Sequence, residues 1–453
     1  MERDFGYSLL LWIFAFLGLG MFFAAILKPR RLWILVLFSA VVGTGLYIDG
    51  YGLIDEAFLC LLLVGYVVAA RGGAKSHTIK VGAKSPFSGH HFGVFFMFMA
   101  YLVFQSLRGL LVLEDIRMLR FVAFFFLLAV LAYIFAKNQS VFPSPHKTRA
   151  VLIYGALLHF AMYLGYGYYV ENFRGLDRFF VQGNEWAGST VAMFPLFCIA
   201  GPVFLSLSRS AGRVAAVVRS RTVGVWALLI VTIATSFYYD SRISWIFITG
   251  FLIISAKDIG LLKVLKISSI FVALLLTLSV WFLPGEGILE QLSSFYRALF
   301  LAGTGMQESD VGRKLEIVSA FRLIFQDPAS FFIGTGFYAE RHALAPHFVD
   351  VLSQHGVYTG VSDLIRPATF SAFLAGTGII GILFLLLCFM FTALEITYHT
   401  RGGNLPVRKI LLFSLCGILG STIVSINIDL VLFYLAIMPS GLLIQLSRQD
   451  AVV

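Results

Sequence analysis

The sequence predicts an all-α polytopic membrane protein, and three observations carry that expectation. Of 453 residues, 59% are hydrophobic and only 13% charged, which would leave a water-soluble chain of this length exposing far more apolar surface than such proteins carry. The apolar residues come in runs of about twenty, the length of helix that crosses roughly 30 Å of hydrocarbon. Lysine and arginine fall on alternate connections between those runs, as the positive-inside rule requires. The expected plan is about 13 transmembrane helices (12 to 14) and one large extracytoplasmic loop containing short helices.

The first run, from about Tyr7 to Leu27, is too long for the apolar core of a cleaved signal and leads into Lys28-Pro29-Arg30-Arg31, so it reads as the first span. Further runs centre near Leu37, Leu63, Phe98, Leu128, Leu158, Phe197, Ile230, Phe251 and Leu275, which makes residues 1–284 a block of ten helices. A more polar segment, 285–370, follows. Residues 371–453 then hold three more runs, near Leu385, Leu415 and Leu435. The basic connections at 28–31, 71–84, 137–149, 209–221, 257–266 and 401–409 share one side, the cytoplasm. On this topology the inner connections hold 21 of the 34 Lys+Arg and 3 of the 24 Asp+Glu, so the net charge of +10 belongs to the inner surface and implies no nucleic-acid partner.

Several chemistries find no support. The four cysteines, Cys60, Cys198, Cys388 and Cys416, lie in separate apolar runs with neither a disulfide framework nor ligand spacing. The nine histidines make no metal motif, and no phosphate-binding glycine loop follows a strand, so neither metal nor nucleotide is expected. A more pointed signal is the choice of outward cation. Ten of the eleven lysines face inward, whereas Lys314 is the single outward lysine among arginines. Both residues serve topology equally, so an arginine-rich outer set suggests planar, bidentate recognition of phosphate or carboxylate.

Polar residues recur at the outer ends of several runs. Arg174, Asp177, Arg178, Asn184 and Glu185 precede the run near Phe197; Asp240-Ser241-Arg242 separates two others; Arg108, Arg117 and Arg120 flank a third. At one membrane depth such residues are costly unless they line a shared wet cavity or stay solvated at the interface. The loop 285–370 carries Arg297, Arg313, Lys314, Arg322, Arg341 and Arg366 with nine acids and three histidines. Within it, Gly312 to Phe325 alternates apolar and charged residues at helical spacing and ends at Asp327-Pro328, suiting a helix laid flat on the membrane surface. Gly334-Thr335-Gly336 reads as a tight turn.

Four segments occur in the order seen in the O-antigen ligase and polysaccharide repeat-unit polymerase superfamily. Gly183-Asn184-Glu185-Trp186-Ala187-Gly188 is similar to that family's Asn-x-x-Ala helix opening, and Ser241-Arg242 to its outer Ser-Arg. Arg313 followed by Gly334-Thr335-Gly336-Phe337 resembles its arginine helix and Gly-x-Gly turn. Ala375-Gly376-Thr377-Gly378-Ile379-Ile380-Gly381 resembles the glycine-bearing opening of the helix after the large loop. The resemblance spans roughly Asn184 to Leu385. One departure is plain: ligases of the family carry a His-Asn pair eleven residues before the first glycine of Gly378-Ile379-Ile380-Gly381, where this chain has Pro367 and Ala368. That favours a polymerase over a ligase, unless a loop histidine substitutes.

The resemblance implies a multi-pass protein of the bacterial inner membrane, working at its periplasmic face without metal or other cofactor. The substrate it implies is a glycan on polyprenyl (undecaprenyl) diphosphate, with membrane lipids, a chain-length regulator and a flippase as partners. Such a donor needs charge stabilisation on the departing diphosphate and deprotonation of an acceptor hydroxyl. In this reading Arg242 and Arg313 grip the diphosphate, helped by Arg297, Arg322, Arg341 or Arg366, while Arg174, Arg178, Asn184 and His342 lie along the substrate. His355 is the first choice of base, with His342, His347, Asp350 and Glu340 behind it. A ligase acting on a lipid or protein acceptor is the alternative. A lipid-linked oligosaccharide flippase is the other, although no internal repeat is visible and the long loop argues against it.

Overall fold

The computed structural model describes residues 2–28, 31–43, 56–71, 89–114, 116, 119–137, 308–337 and 369–399, with single positions among 151–158, 339–346 and 408–435. Among the described residues every regular element is a helix and there is no strand. In chain order these are α1 (Glu2–Leu27), α2 (Leu32–Gly43), α3 (Glu56–Arg71), α4 (Gly89–Leu113), α5 (Leu119–Lys137), α6 (Glu308–Ile324), α7 (Pro328–Ile333) and α8 (Thr369–His399). The runs expected near Phe16, Leu37, Leu63, Phe98, Leu128 and Leu385 are thus helices, and those near Leu158, Leu415 and Leu435 show helical positions at those residues. The runs near Phe197, Ile230, Phe251 and Leu275 lie outside the described residues.

Small residues let the first helices approach closely. A Cβ on Gly65 of α3 would stand 2.9 Å from Phe22 O and 3.1 Å from Ala25 Cβ of α1, so the crossing depends on glycine. α5 packs beside α3 and along α4, and α4 in turn lies along α8. Aromatic rings fill the α4–α8 seam: Phe98 stacks on Phe384 at 5.9 Å between centroids, and Tyr101 meets the same ring at 5.5 Å. α4 stops where Glu114 turns left-handed (φ 53°), its amide still bonded to Leu110 O at 2.9 Å.

Among the described residues two helices, Phe92–Leu113 and Phe370–Tyr398, are long and apolar enough to cross a membrane. Their surfaces point the same way. On α8, Ile382, Leu385, Phe389, Thr392 and Ile396 are buried, while Leu383, Leu386, Leu387, Met390 and Leu394 form an exposed stripe at the same helical period. A water-facing helix would be polar on that second stripe; apolar residues on both fit lipid on one side and protein on the other.

Candidate functional site

The described part of segment 285–370 begins with α6. Residues 312–325 were expected to form an amphipathic helix, and the helix observed runs from Glu308 to Ile324 with Ser319, Ala320, Leu323 and Ile324 buried towards α8. Asp327-Pro328 does more than stop it. Asp327, in extended conformation, accepts from Ala329 N at 2.7 Å and Ser330 N at 3.0 Å, and Pro328 occupies the first turn of the short helix α7, which the sequence reading did not foresee. Hydrogen bonds from Ser330 and the Ala329 amide hold the Asp327 carboxyl below the usual range.

α7 ends at Gly334 (φ 65°, ψ −166°), and α8 is interrupted at Gly378 (φ 62°, ψ −166°), a conformation essentially confined to glycine. The two glycines face each other across a local two-fold. A Cβ on Gly334 would stand 2.5 Å from the Gly376 carbonyl and 2.6 Å from Gly378 N; a Cβ on Gly378 would stand 2.6 Å from the Phe332 carbonyl and from Gly334 N. Each glycine therefore touches the other's amide and the carbonyl two residues before it. The segment Ala375–Gly381, expected to open the helix after the loop, holds the junction of two helical stretches at Gly378, nine residues after Thr369, so the second stretch opens there.

The break at Gly378 explains why the loop is held there. In an unbroken helix the carbonyls of Ala375, Gly376 and Thr377 accept from the amides four residues on. Here three outside donors reach them: Thr335 N to Ala375 O at 2.9 Å, Gly336 N to Gly376 O at 2.9 Å, and the Tyr101 hydroxyl to Thr377 O at 2.5 Å. Phe337 N adds a bond to Gln105 O at 3.0 Å, and its ring packs on Phe125 and Phe373. Gly109 of α4 sits directly against the Phe337 carbonyl. The turn is indeed tight, as expected, but two of its amides are spent on α8, so it is not a phosphate cradle.

Arg108 completes the seat. Its Nη1 donates to Gln105 Oε1 at 3.1 Å and to Ile333 O at 3.0 Å, and its Nη2 donates to Gly334 O at 3.1 Å. The guanidinium thus lies at the carbonyl end of α7, where a helix presents partial negative charge. The sequence reading grouped Arg108 with Arg117 and Arg120 among outer polar residues; its role here is to join α4 to the loop. Arg120 sits 4.9 Å over the Phe121 ring, and Arg117 lies outside the described residues.

Of the expected site residues, Arg313 belongs to α6. Arg322, nine positions on, is exposed on the same helix. Arg242, His355, Arg174, Arg178, Asn184, Arg297, Arg341, His342, Arg366, His347, Asp350 and Glu340 lie outside the described residues. Among the described residues no group of His, Cys, Asp or Glu is arranged to hold a metal ion. What sequence reasoning missed is Arg108 with Gln105 and Tyr101, polar positions spaced by four and three along a helix otherwise apolar, which is one face of one helix. Comparison with protein-family models, with curated proteins and with solved structures finds no match.

Proposed function

We propose that this protein is an integral membrane glycosyltransferase that polymerises oligosaccharide repeat units carried on polyprenyl diphosphate, at the periplasmic face of the bacterial inner membrane. The observation that supports the reading most is the meeting of Gly334-Thr335-Gly336 with Ala375–Gly381, two of the segments on which the family resemblance rests. Separated by some forty residues, they form one structural unit, and Arg313 belongs to the helix packed beside it. In the proposed reaction an acceptor hydroxyl attacks the anomeric carbon of the donor, and the bond from that carbon to the diphosphate oxygen breaks. The hydroxyl proton passes to a base, for which His355 is the first candidate, and Arg242 and Arg313 stabilise the departing diphosphate. The absent His-Asn pair, replaced by Pro367-Ala368, favours polymerisation over ligation.

The test is incubation of purified, reconstituted protein with polyprenyl-diphosphate repeat units, followed by gel or mass analysis. A ladder of products is the expected result; a single transfer to another lipid indicates a ligase, and no product rejects the enzyme reading. Arg242→Lys and Arg313→Lys are expected to lose the ladder at unchanged protein level, because a lysine cannot supply the bidentate fork. Normal polymer from both variants would reject those two roles.

A further inference from the structure

The loop elements α6 and α7 wrap α8 over a limited stretch, and where that stretch lies says what their outer surface meets. From Ser371 to Gly378, α8 is buried or nearly so, covered by α4, α6 and α7. Its exposed apolar stripe begins at Leu383, about 7 Å further along the axis at 1.5 Å per residue. The segment 379–398 has the roughly 30 Å length of a hydrocarbon core, and Tyr398, exposed, stands at its far end. Gly378 closes the covered stretch, a few residues before that stripe begins. The backbone of Phe332 is fixed at that same level, since a Cβ on Gly378 would touch its carbonyl at 2.6 Å.

At this level the collar turns aromatic side chains outward. Phe325 is 68% exposed, Phe332 53% and Phe321 41%. Phe321 and Phe325 stack at 6.2 Å, Phe325 meets Phe331 at 5.6 Å, and Phe331 meets Phe332 at 5.1 Å, so the rings form one connected patch. Arg322 and Gln326 follow Phe321 and Phe325 in sequence, and both are exposed. α6 is thus apolar on its covered side (Ala320, Leu323, Ile324) and on its exposed side (Val318, Phe321, Phe325), as α8 is, and the exposed rings have a cationic and a polar neighbour in Arg322 and Gln326. We infer that α6 and α7 form a monotopic collar whose ring patch Phe321–Phe325–Phe332 inserts into the outer leaflet at the level of the glycerol and upper acyl carbons. The occupant is bulk lipid, as for the exposed apolar stripe of α8, the helix on which α6 and α7 pack.

The test places a nitroxide label on single cysteines at Phe321→Cys, Phe325→Cys, Phe332→Cys and Gln326→Cys, in full-length protein carrying Ser at positions 60, 198 and 416 and Ala at 388. The protein is reconstituted in phosphatidylglycerol–phosphatidylethanolamine vesicles, and accessibility to molecular oxygen is compared with that to a water-soluble nickel chelate. The ring positions are expected to favour oxygen several-fold over nickel, and Gln326→Cys the reverse. Nickel preference at Phe325→Cys and Phe332→Cys would overturn the inference in favour of a solvated loop. Protection from both relaxants would overturn it in favour of a protein contact, including a second copy of the chain. Phe321→Cys repeats the measurement one turn away, so that failure of one variant to insert leaves the question decided by the others.

Discussion

Replacing Gly378 by alanine strikes the contact between loop and bundle at one atom. At φ 62° and ψ −166° a side chain costs about 1–3 kcal/mol in backbone strain. The new Cβ would also stand 2.6 Å from Gly334 N and from the Phe332 carbonyl, backbone atoms that cannot rotate aside. Relief requires the turn to back away, which gives up the Thr335–Ala375 and Gly336–Gly376 bonds, each contributing about 1 kcal/mol. The expected loss is about 3–5 kcal/mol, or a fall of roughly 6–10 °C in melting temperature at about 2 °C per kcal/mol. The assay is thermal exposure of the buried Cys388 thiol to a maleimide fluorophore, in protein with Ser at positions 60, 198 and 416. Gly93→Ala is the control: nothing lies within 4 Å of its Cβ position, so it should be neutral or stabilising by up to about 1 kcal/mol. Gly334→Ala should match Gly378→Ala, and the double variant should cost well under the sum, because one substitution already separates the pair. Equal melting of Gly378→Ala and Gly93→Ala would refute the glycine contact, and strict additivity would refute its reciprocity.

Arg108→Lys keeps the charge but cannot reach Gln105, Ile333 and Gly334 together, so amide exchange at Thr335 and Gly336 should accelerate by about tenfold or more, the equivalent of one charged hydrogen bond; unchanged protection would show that the turn is held without it. For Asp327 the sign follows from its lowered pKa. The cap contributes stability above the ordinary carboxylate range, near pH 4, and loses it as pH falls through the depressed folded value, so α7 should open to exchange or proteolysis only in acid. Asp327→Asn should remove that pH dependence while keeping most of the cap, whereas Asp327→Ala should weaken α7 at every pH; an α7 equally protected in Asp327→Ala and the parent would reject the capping role.

The helices of the bundle were legible because a membrane span declares itself locally: α4 and α8 are apolar over most of their length, and length alone reveals them. The extent of α6 was legible within a few residues from the stop at Asp327-Pro328, whereas the amphipathic face expected of it is not seen: Val318, Phe321 and Phe325 are exposed while Ala320, Leu323 and Ile324 are buried. α7 was not legible, since Asp327-Pro328 signals both the end of one helix and the start of another, and six residues are too few to show a period. The position of the break in α8 was equally hidden. Gly376, Gly378 and Gly381 announce unusual backbone, but only the partner Gly334, far off in sequence, decides which of them leaves the helix. The candidate site follows the same division. Arg313 could be placed on a helix from its neighbours, whereas the convergence of α4 with the glycine turn depends on contacts separated by more than two hundred residues, as between Arg108 and Ile333.

Arg108 also changes how outward arginines are to be counted. An excess of arginine over lysine suggests oxyanion recognition because the guanidinium matches a flat pair of oxygens. The same fork matches two successive carbonyls at a helix C-terminus, and that is what Arg108 bonds through Ile333 and Gly334. In a membrane protein this use has its own logic. A broken helix near the apolar layer leaves carbonyls that water cannot reach, and each needs a donor from the protein. Arginine, charged at any physiological pH and carrying five N–H groups, can supply several at once without protonation change. Arg108 is one arginine of that set whose guanidinium is taken up by backbone carbonyls. The end that Arg108 bonds is the glycine-terminated C-terminus of α7, more than two hundred residues away in sequence, so the carbonyl-binding use is decided by tertiary contact and not by position in the chain.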